Sequence, residues 1–541
     1  MYARIASDEA WLEEVLGEEG GVLEEDELGS LLWGVHLRAR EVRRQREGDE
    51  RRLELGIWRS DYMVSGARDD EDQSGGEDSD SGNVPLQLKQ VEFNTMACAG
   101  ARHGDRVAKM HRHFARTGAY DPPLDSRDGT QRRDNDTAGA IPPSAYTATN
   151  MPCPNTASSL VSALAAAHTA YNDLFYPLHS ALDGLPRPAT CILILSQPHN
   201  INPSDELPLL TALWSSTPFK ASAPTYTAIF PSSTLLTSTH LDITTGILTY
   251  TPPFSPQSFE VSVLYWRSGH ELHEYTGVDV LGIEIRTRLE ASRAVLCPSV
   301  LGQLAGSKAV QGALSSMTLE QLARFLPGRQ ERVVAELAGM GVGCVGLGSP
   351  AGRALMAELV KGGSGEEAED WFLKPACAEG GGHNISSAVE VVKALQRLQQ
   401  DDDGDGDIGS GEAGRYVLMR RIRPPRGLLG VLVLAPAVGP GRREGAPATV
   451  YAGEVVPELG IWGTCLFRRR HGGVGEEEER EVEILRNEVA GFSVRTKRAG
   501  QDEMSVVKGY GAFDSLVLLD EDVFRRACRA EHEVEDDDVE A

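Results

Sequence analysis

The sequence predicts an α/β (α+β) protein on three observations. Helical segments alternate with strand-like runs through the second half of the chain, the arrangement that packs helices on sheets. In the middle, CILIL (191–195) opens and VSVLYW (261–266) closes a strand-and-loop stretch rich in Thr, Ser and Pro. With 541 residues, 41% of them apolar, the chain can bury a large core.

Each element follows in turn. Residues 1–48 read as charged amphipathic helices, and 53–64 and 84–95 as two strands joined by an acidic insertion at 65–83 that is expected to be disordered. The Pro-, Thr-, Asp- and Gly-rich stretch 119–153 reads as a disordered linker, and 156–182, Ala- and Leu-rich with Tyr171 and Phe175 at helical spacing, as a long helix. A discrete domain is expected over 189–296. Beyond it come a helical region (301–361), a strand at 371–375, a helix at 386–400, and strands at 416–422, 449–456 and 461–467. The domain reading is therefore 1–188, 189–296 and 297–541.

Acidic residues outnumber basic ones 80 to 53, a net charge of −27, which argues against a phosphate-tracking nucleic-acid surface and against an anionic membrane face. Small-molecule or protein partners are expected. Runs such as DDEDQSGGEDSD (69–80), together with 401–407, 476–483 and 531–540, read as solvated loops. The eight cysteines are scattered without a CxxC pair and read as reduced thiols. The start MYARIASDEAWLEE has no export or transit pattern, and the apolar stretch near 428–438 is broken by Gly430 and Pro436, so a cytoplasmic protein is expected.

Three motifs are set aside. GVGCVG (341–346) fits G-x-G-x-x-G, but a helical segment precedes it where a dinucleotide fingerprint needs a strand. DDDGDGDIGSGE (401–412) satisfies a calcium-loop template through Asp401, Asp403, Asp405, Gly406, Ile408 and Glu412; the chain leaves it as a strand, and such a composition matches by itself. His270 with His273, and His111 with His113, lack zinc spacing.

Two segments carry chemistry. In QVEFNT, Glu92 and Asn94 alternate onto one strand face. In WFLKPACAEGGGHN (371–384), Lys374 on a strand precedes Glu379 and a glycine-rich turn of the kind that lets backbone amides approach an anion. Lysine supplies a point charge for phosphate, and a carboxylate beside it suits Mg²⁺. These segments occur in one order with LGIWRSDYM (55–63), QLAGSKAVQ (303–311), YVLMRRI (416–422), PELGIWG (457–463) and VRTK (494–497). Together they resemble eukaryotic glutathione synthetase, an ATP-grasp ligase.

The resemblance implies a composite ATP-grasp fold with an inserted α/β substrate-binding domain. It implies Mg- and ATP-dependent ligation of γ-glutamylcysteine to glycine through an acyl phosphate, by a homodimer in the cytoplasm. Carried over by position, Glu92, Asn94 and Glu379 bind two magnesium ions, and Lys308 and Lys374 hold the ATP phosphates beside Gly380, Gly381 and Gly382. Met419, Arg420, Arg421, Ile422 and Glu458 surround adenine and ribose, with Asn384, Lys497 and Glu503 also lining the nucleotide site. The dipeptide falls to Arg59, Asn202, Arg267 through His270, Arg495, and backbone groups at Val506 and Val507. Arg59 and Arg495 are the catalytic candidates, Arg59 stabilising charge that develops at the reacting carboxyl.

The sequence also departs from the family pattern. Ala97 and Ala99 in MACAG replace hydroxyl residues that bind substrate, a loss of about 1–3 kcal/mol each where a partner is left unpaired. ACAE before the glycines is one residue longer than usual. Arg420 stands for a usual glutamate, Glu206 for a glutamine and His270 for a tyrosine, while MSVVKG (504–509) replaces a Gly- and Ala-rich lid. The alternative is a paralogue that keeps nucleotide binding and has weakened or changed its peptide chemistry.

Overall fold

The computed structural model describes residues 1–17, 21–46, 51–66, 86–120, 141–176, 189–200, 202–215, 224–276, 281–362, 367–377, 384–402, 412–434, 448–470 and 482–529. Its strands, in chain order, begin with β1 (Arg51–Ser65), β2 (Gln87–Asn94), β3 (Thr190–Ser196), β4 (Thr225–Ile229) and β5 (Thr239–Leu241). Then follow β6 (Leu248–Tyr250), β7 (Phe259–Arg267), β8 (Val295–Cys297), β9 (Cys344–Gly346) and β10 (Trp371–Pro375). Last come β11 (Tyr416–Arg420), β12 (Leu429–Leu434), β13 (Thr449–Arg470), β14 (Val482–Arg498) and β15 (Gly511–Asp514).

β1 organises the molecule because its two faces differ. Side chains alternate across a strand, so Leu53, Leu55 and Ile57 share one face and bury it against the helix Thr156–Phe175, whose Leu160, Leu164 and Tyr171 recur at helical spacing. Further along that same face stand Arg59 and Asp61. The helix is held at its start by Asp105, whose carboxylate accepts from the Thr156 and Ala157 N–H groups at 2.9 and 3.1 Å, the anion-at-N-terminus arrangement that satisfies orphan donors.

The main sheet runs β15-β14-β13-β1-β8-β7-β3-β4, with β2 beside β1, β12 beside β13, and β5 and β6 at the edge of β7. β3, β4, β7 and β8, from the stretch expected as a discrete domain, are parallel neighbours in this sheet, and β8 meets β1 at Glu54–Leu296. Ile192, Ile194 and Val263 share one apolar core with Leu53 and Leu55. A smaller antiparallel sheet, β10-β11-β9, packs on the helices Pro350–Gly362 and Ala388–Asp402 around Met356, Leu373, Val391, Leu395 and Leu418.

Several local expectations are revised. The runs 449–456 and 461–467 are one strand, β13, and the helical region 301–361 is interrupted by β9, formed from the second half of GVGCVG. The helix Ala101–Arg116 was not foreseen. Within the expected linker, 141–153 is packed: Met151 is buried and the Asn150 carbonyl accepts from the Leu518 N–H. Residues 67–85, 121–140 and 403–411, with the acidic insertion and most of the calcium template, lie outside the described residues. None of the eight cysteines is in a disulfide, and among the described residues no helix is long and apolar enough to cross a membrane.

Candidate active site

A cavity of about 980 Å³ lies where the two sheets meet. β1 and β2 contribute Arg59, Glu92 and Asn94; the small sheet and the chain leaving it contribute Lys374, Met419, Arg420, Arg421 and Ile422. β13 and β14 add Glu458, Arg495 and Lys497, the turn after β14 adds Glu503, Val506 and Val507, and loops add Ala99, Asn202 and Asn384. Glu379 and Gly380 through Gly382 lie outside the described residues.

Strand register brings the charges together. β2 pairs antiparallel with β1 so that Asn94 stands opposite Arg59 and Glu92 opposite Asp61, with an irregularity after Asp61. On β13, Glu458 stands opposite Arg495 of β14 and contacts its guanidinium. Lys374 is the next-to-last residue of β10, and Lys308 begins the helix Lys308–Ser315, capped by the Ser307 side chain at the Val310 N–H. That cap arrangement fixes where the helix starts.

The environment tunes these groups. Burial pushes the Glu92 carboxyl up, but Lys308, a hydrogen bond from Asn94, Lys374 and Arg59 together hold it down at about 2. Burial, then the charge of Lys308, lowers the Lys374 ammonium to about 8 against the opposing pull of Glu92. Burial raises Glu458 despite Arg495, with Asp61 and Glu92 adding to the rise, and burial lowers Lys497, whose Nζ donates to the Asp502 carbonyl at 2.9 Å. Lys308 is thus part of the site electrostatically although it does not line the cavity.

Four other expected contacts are turned away from the cavity. Arg267 donates to the Cys98 carbonyl and faces Asp205 and Glu206 at 3.5 and 3.4 Å, so it holds the 96–100 loop. Glu206 accepts from Ser196 Oγ at 2.7 Å and Asn200 Nδ2 at 2.9 Å, and the Asn200 amide oxygen in turn accepts from the Asn202 N–H at 2.8 Å. Buried charges need such pairing. The Ala97 side chain packs on the apolar core, with φ at +48°. His270 donates its backbone N–H to Glu274, and burial, Arg267 and His273 lower its imidazole to about 4, leaving it neutral near pH 7.

The adenine-side expectations fall on a wall that is also core: Met419 is buried, Ile422 packs on the same cluster, and the Arg421 guanidinium sits 4.0 Å over the Phe372 ring while pairing with Asp502 at 2.8 Å. Glu503 pairs with Lys508 at 2.9 Å.

The sequence reading missed Asp61, His103, Ser204 and Phe372. Asp61 had a signal, since it follows Arg59 by two positions on a strand and so shares its face. His103, stacked 4.9 Å from Phe513 and 3.1 Å from Ser204 Oγ, had none without the helix that carries it.

A divalent cation can be tested against the donor set. The amide nitrogen of Asn94 donates to Glu92 Oε1 and to Asp61 Oδ2, both at 3.0 Å, which turns its carbonyl oxygen the other way. A carboxylate and an amide oxygen side by side are hard ligands that suit Mg²⁺. Among the described residues no group of three or more His, Cys, Asp or Glu is arranged to hold a metal.

Comparison with known proteins gives the family. The eukaryotic glutathione synthase ATP-binding domain matches residues 1–518. The glutathione synthetase large chain of Schizosaccharomyces pombe is 25% identical over 526 residues, 96% of this chain and 85% of that protein. The chloroplastic glutathione synthetase of Solanum lycopersicum is 32% identical over 259 residues, 48% of this chain and 39% of that protein. A glutathione synthetase-like effector from Globodera pallida, solved in its apo form, superposes with a TM-score of 0.56 at 16% identity, covering 96% of this chain and 84% of that one, which shows a shared fold. The chain therefore belongs, as a divergent member, to the eukaryotic glutathione synthetase family of ligases.

Proposed function

We propose that this protein is an ATP- and Mg-dependent ligase that joins γ-glutamylcysteine to glycine through an acyl phosphate. The observation that carries the reading is the convergence of Glu92, Lys374 and the charge of Lys308 on a cavity that Arg59 and Arg495 also line.

Lys308 and Lys374 neutralise the triphosphate, with Met419 and Ile422 against the adenine and Glu458, Asn384, Lys497 and Glu503 around the rest of the nucleotide. Glu92, Asn94 and Glu379 are the residues that would hold magnesium, which supplies charge neutralisation at the phosphate oxygens. Arg59 and Arg495 face the C-terminal carboxylate of the dipeptide as it takes the phosphoryl group. Fixed guanidinium groups stabilise that developing charge without reorganising. The glycine amine then attacks the acyl carbon beside Val506 and Val507, the C–N bond forms and phosphate leaves. Positioning supplies much of the rate. A homodimer in the cytoplasm is proposed with this reading, on the family resemblance.

A second reading, nucleotide binding with weakened or altered peptide chemistry, is favoured by Ala97 and Ala99 and by the inward pairing of Arg267 and Glu206. Mixing ATP, γ-glutamylcysteine and glycine and measuring ADP decides between them. ADP formation that requires both peptide and glycine is expected, while nucleotide binding without turnover, across varied acceptor amino acids, leaves the second reading.

A further inference from the structure

One carboxylate in the wall of the site has no part in the chemistry above. Asp61 has no exposed surface, and it accepts four hydrogen bonds. Arg59 Nε reaches Oδ1 at 2.7 Å; Arg59 Nη2 and Arg495 Nη2, both at 2.8 Å, and Asn94 Nδ2 at 3.0 Å reach Oδ2. The two arginines lie on β1 and β14, and Asn94 on β2. The backbone makes room for this cluster: a Cβ at Gly460, directly opposite Asp61 on β13, would stand 2.8 Å from both Asp61 Oδ1 and Arg59 Cδ.

We propose that Asp61 is a positioning residue for the reaction, setting the direction of two groups that face ligands while touching none itself. This rests on the ligase reading of the cavity. Its first target is Arg59, held as a bidentate fork with Nη1 closed on the Ala99 carbonyl at 2.7 Å, so the plane of the guanidinium is fixed. Its second is Asn94. An amide nitrogen between the carboxylates of Asp61 and Glu92 has one satisfied orientation, and in it the carbonyl oxygen is the end offered to a cation. Partners behind a metal ligand fix its orientation in this way, and their loss typically costs 10–100-fold in metal affinity. Asp61 also gives two neighbouring guanidinium groups a common anion, which lets Arg59 and Arg495 occupy one site.

The test uses the full chain with Asp61→Asn, read by calorimetric titration of a non-hydrolysable ATP analogue over a series of Mg²⁺ concentrations. The Mg²⁺ needed for half-maximal nucleotide affinity is expected to rise about 10–100-fold, with ADP formation falling alongside. Asn94→Ala alone should raise it similarly, and Asp61→Asn on the Asn94→Ala background should add nothing further. An unchanged Mg²⁺ requirement, or losses that simply add, overturns the proposal. If Asp61→Asn fails to fold by circular dichroism, Asp61→Glu keeps the charge, moves it by one methylene and is expected to give the same shift. The binding readout needs no turnover: a wild-type protein that binds Mg-nucleotide without ligating peptide defeats the ligase reading while still testing Asp61, and one that binds no Mg-nucleotide overturns both.

Discussion

The part of the cavity proposed for the nucleotide and the charge cluster behind the 96–100 loop use charge in opposite ways. At the first, Glu92 and Lys374 line the open space; Lys308, Asn94 and Lys374 hold the Glu92 carboxyl down against burial, and burial with the charge of Lys308 lowers the Lys374 ammonium against Glu92. At the second, Arg267, Asp205 and Glu206 have closed on each other and on the 96–100 loop. A residue type that suits a ligand therefore does not by itself meet the ligand. Arg267 is closed off by its pairs and serves as scaffold, whereas Glu92 and Lys374 keep surface in the cavity and can meet a ligand.

The largest effect that would break this contrast comes from Arg267→Met. It leaves two carboxylates buried without their cation and should destabilise the fold by about 3–5 kcal/mol, read as a lowered urea midpoint. An unchanged midpoint would place Arg267 with the ligand groups instead. Lys374→Met should do the reverse, costing no stability and lowering kcat/KM for ADP formation by about 10²–10³. A comparable fall in thermal stability would assign Lys374 to the scaffold.

The pH dependence sharpens the same point. Protonated Lys374 is the phosphate-binding form, and its folded value is about 8, so nucleotide affinity should fall as pH rises through that value, by at most about tenfold per unit for one proton. Lys374→Met should flatten the profile. Because an unfolded lysine holds its proton up to about 10.5, this group makes stability rise with pH between 8 and that value. Glu92 behaves oppositely: held near 2 when folded and 4.5 otherwise, it contributes stability that is present above 4.5 and lost as pH falls towards 2.

The smallest effect lies in the loop that Arg267 holds. Ala97 sits at φ +48°, a conformation costing a side chain about 1–2 kcal/mol, partly offset in glycine by about 0.5–1 kcal/mol of added chain entropy. Ala97→Gly should therefore raise stability by less than about 1 kcal/mol, seen as a small increase in melting temperature.

Much of the region proposed for the nucleotide was legible before any fold was known, because its signals are local. Glu92 and Asn94 share a strand face by alternation, Lys374 stands on a short strand before a glycine run, and the segments around them follow one order. The division of β13 into two runs failed for a local reason too. Pro457 falls between the stretch paired with β12, which ends at Glu454, and the stretch paired with β1, which begins at Leu459, while the pairing with β14 runs through it, with Pro457 opposite Thr496. The continuous ladder to β14 therefore holds the two runs in one strand.

By itself the sequence determined the alternating α and β elements, the family and the charged residue types of the cavity, since each depends on patterns within a few positions. Only the tertiary structure decided that Arg267 and Glu206 pair inward, that Gly460 is small because Arg59 and Asp61 lie against it, and that Arg495 meets a carboxylate 434 positions away. Pairing between charges depends on distance and burial, and both are set by how strands far apart in the chain come to lie side by side.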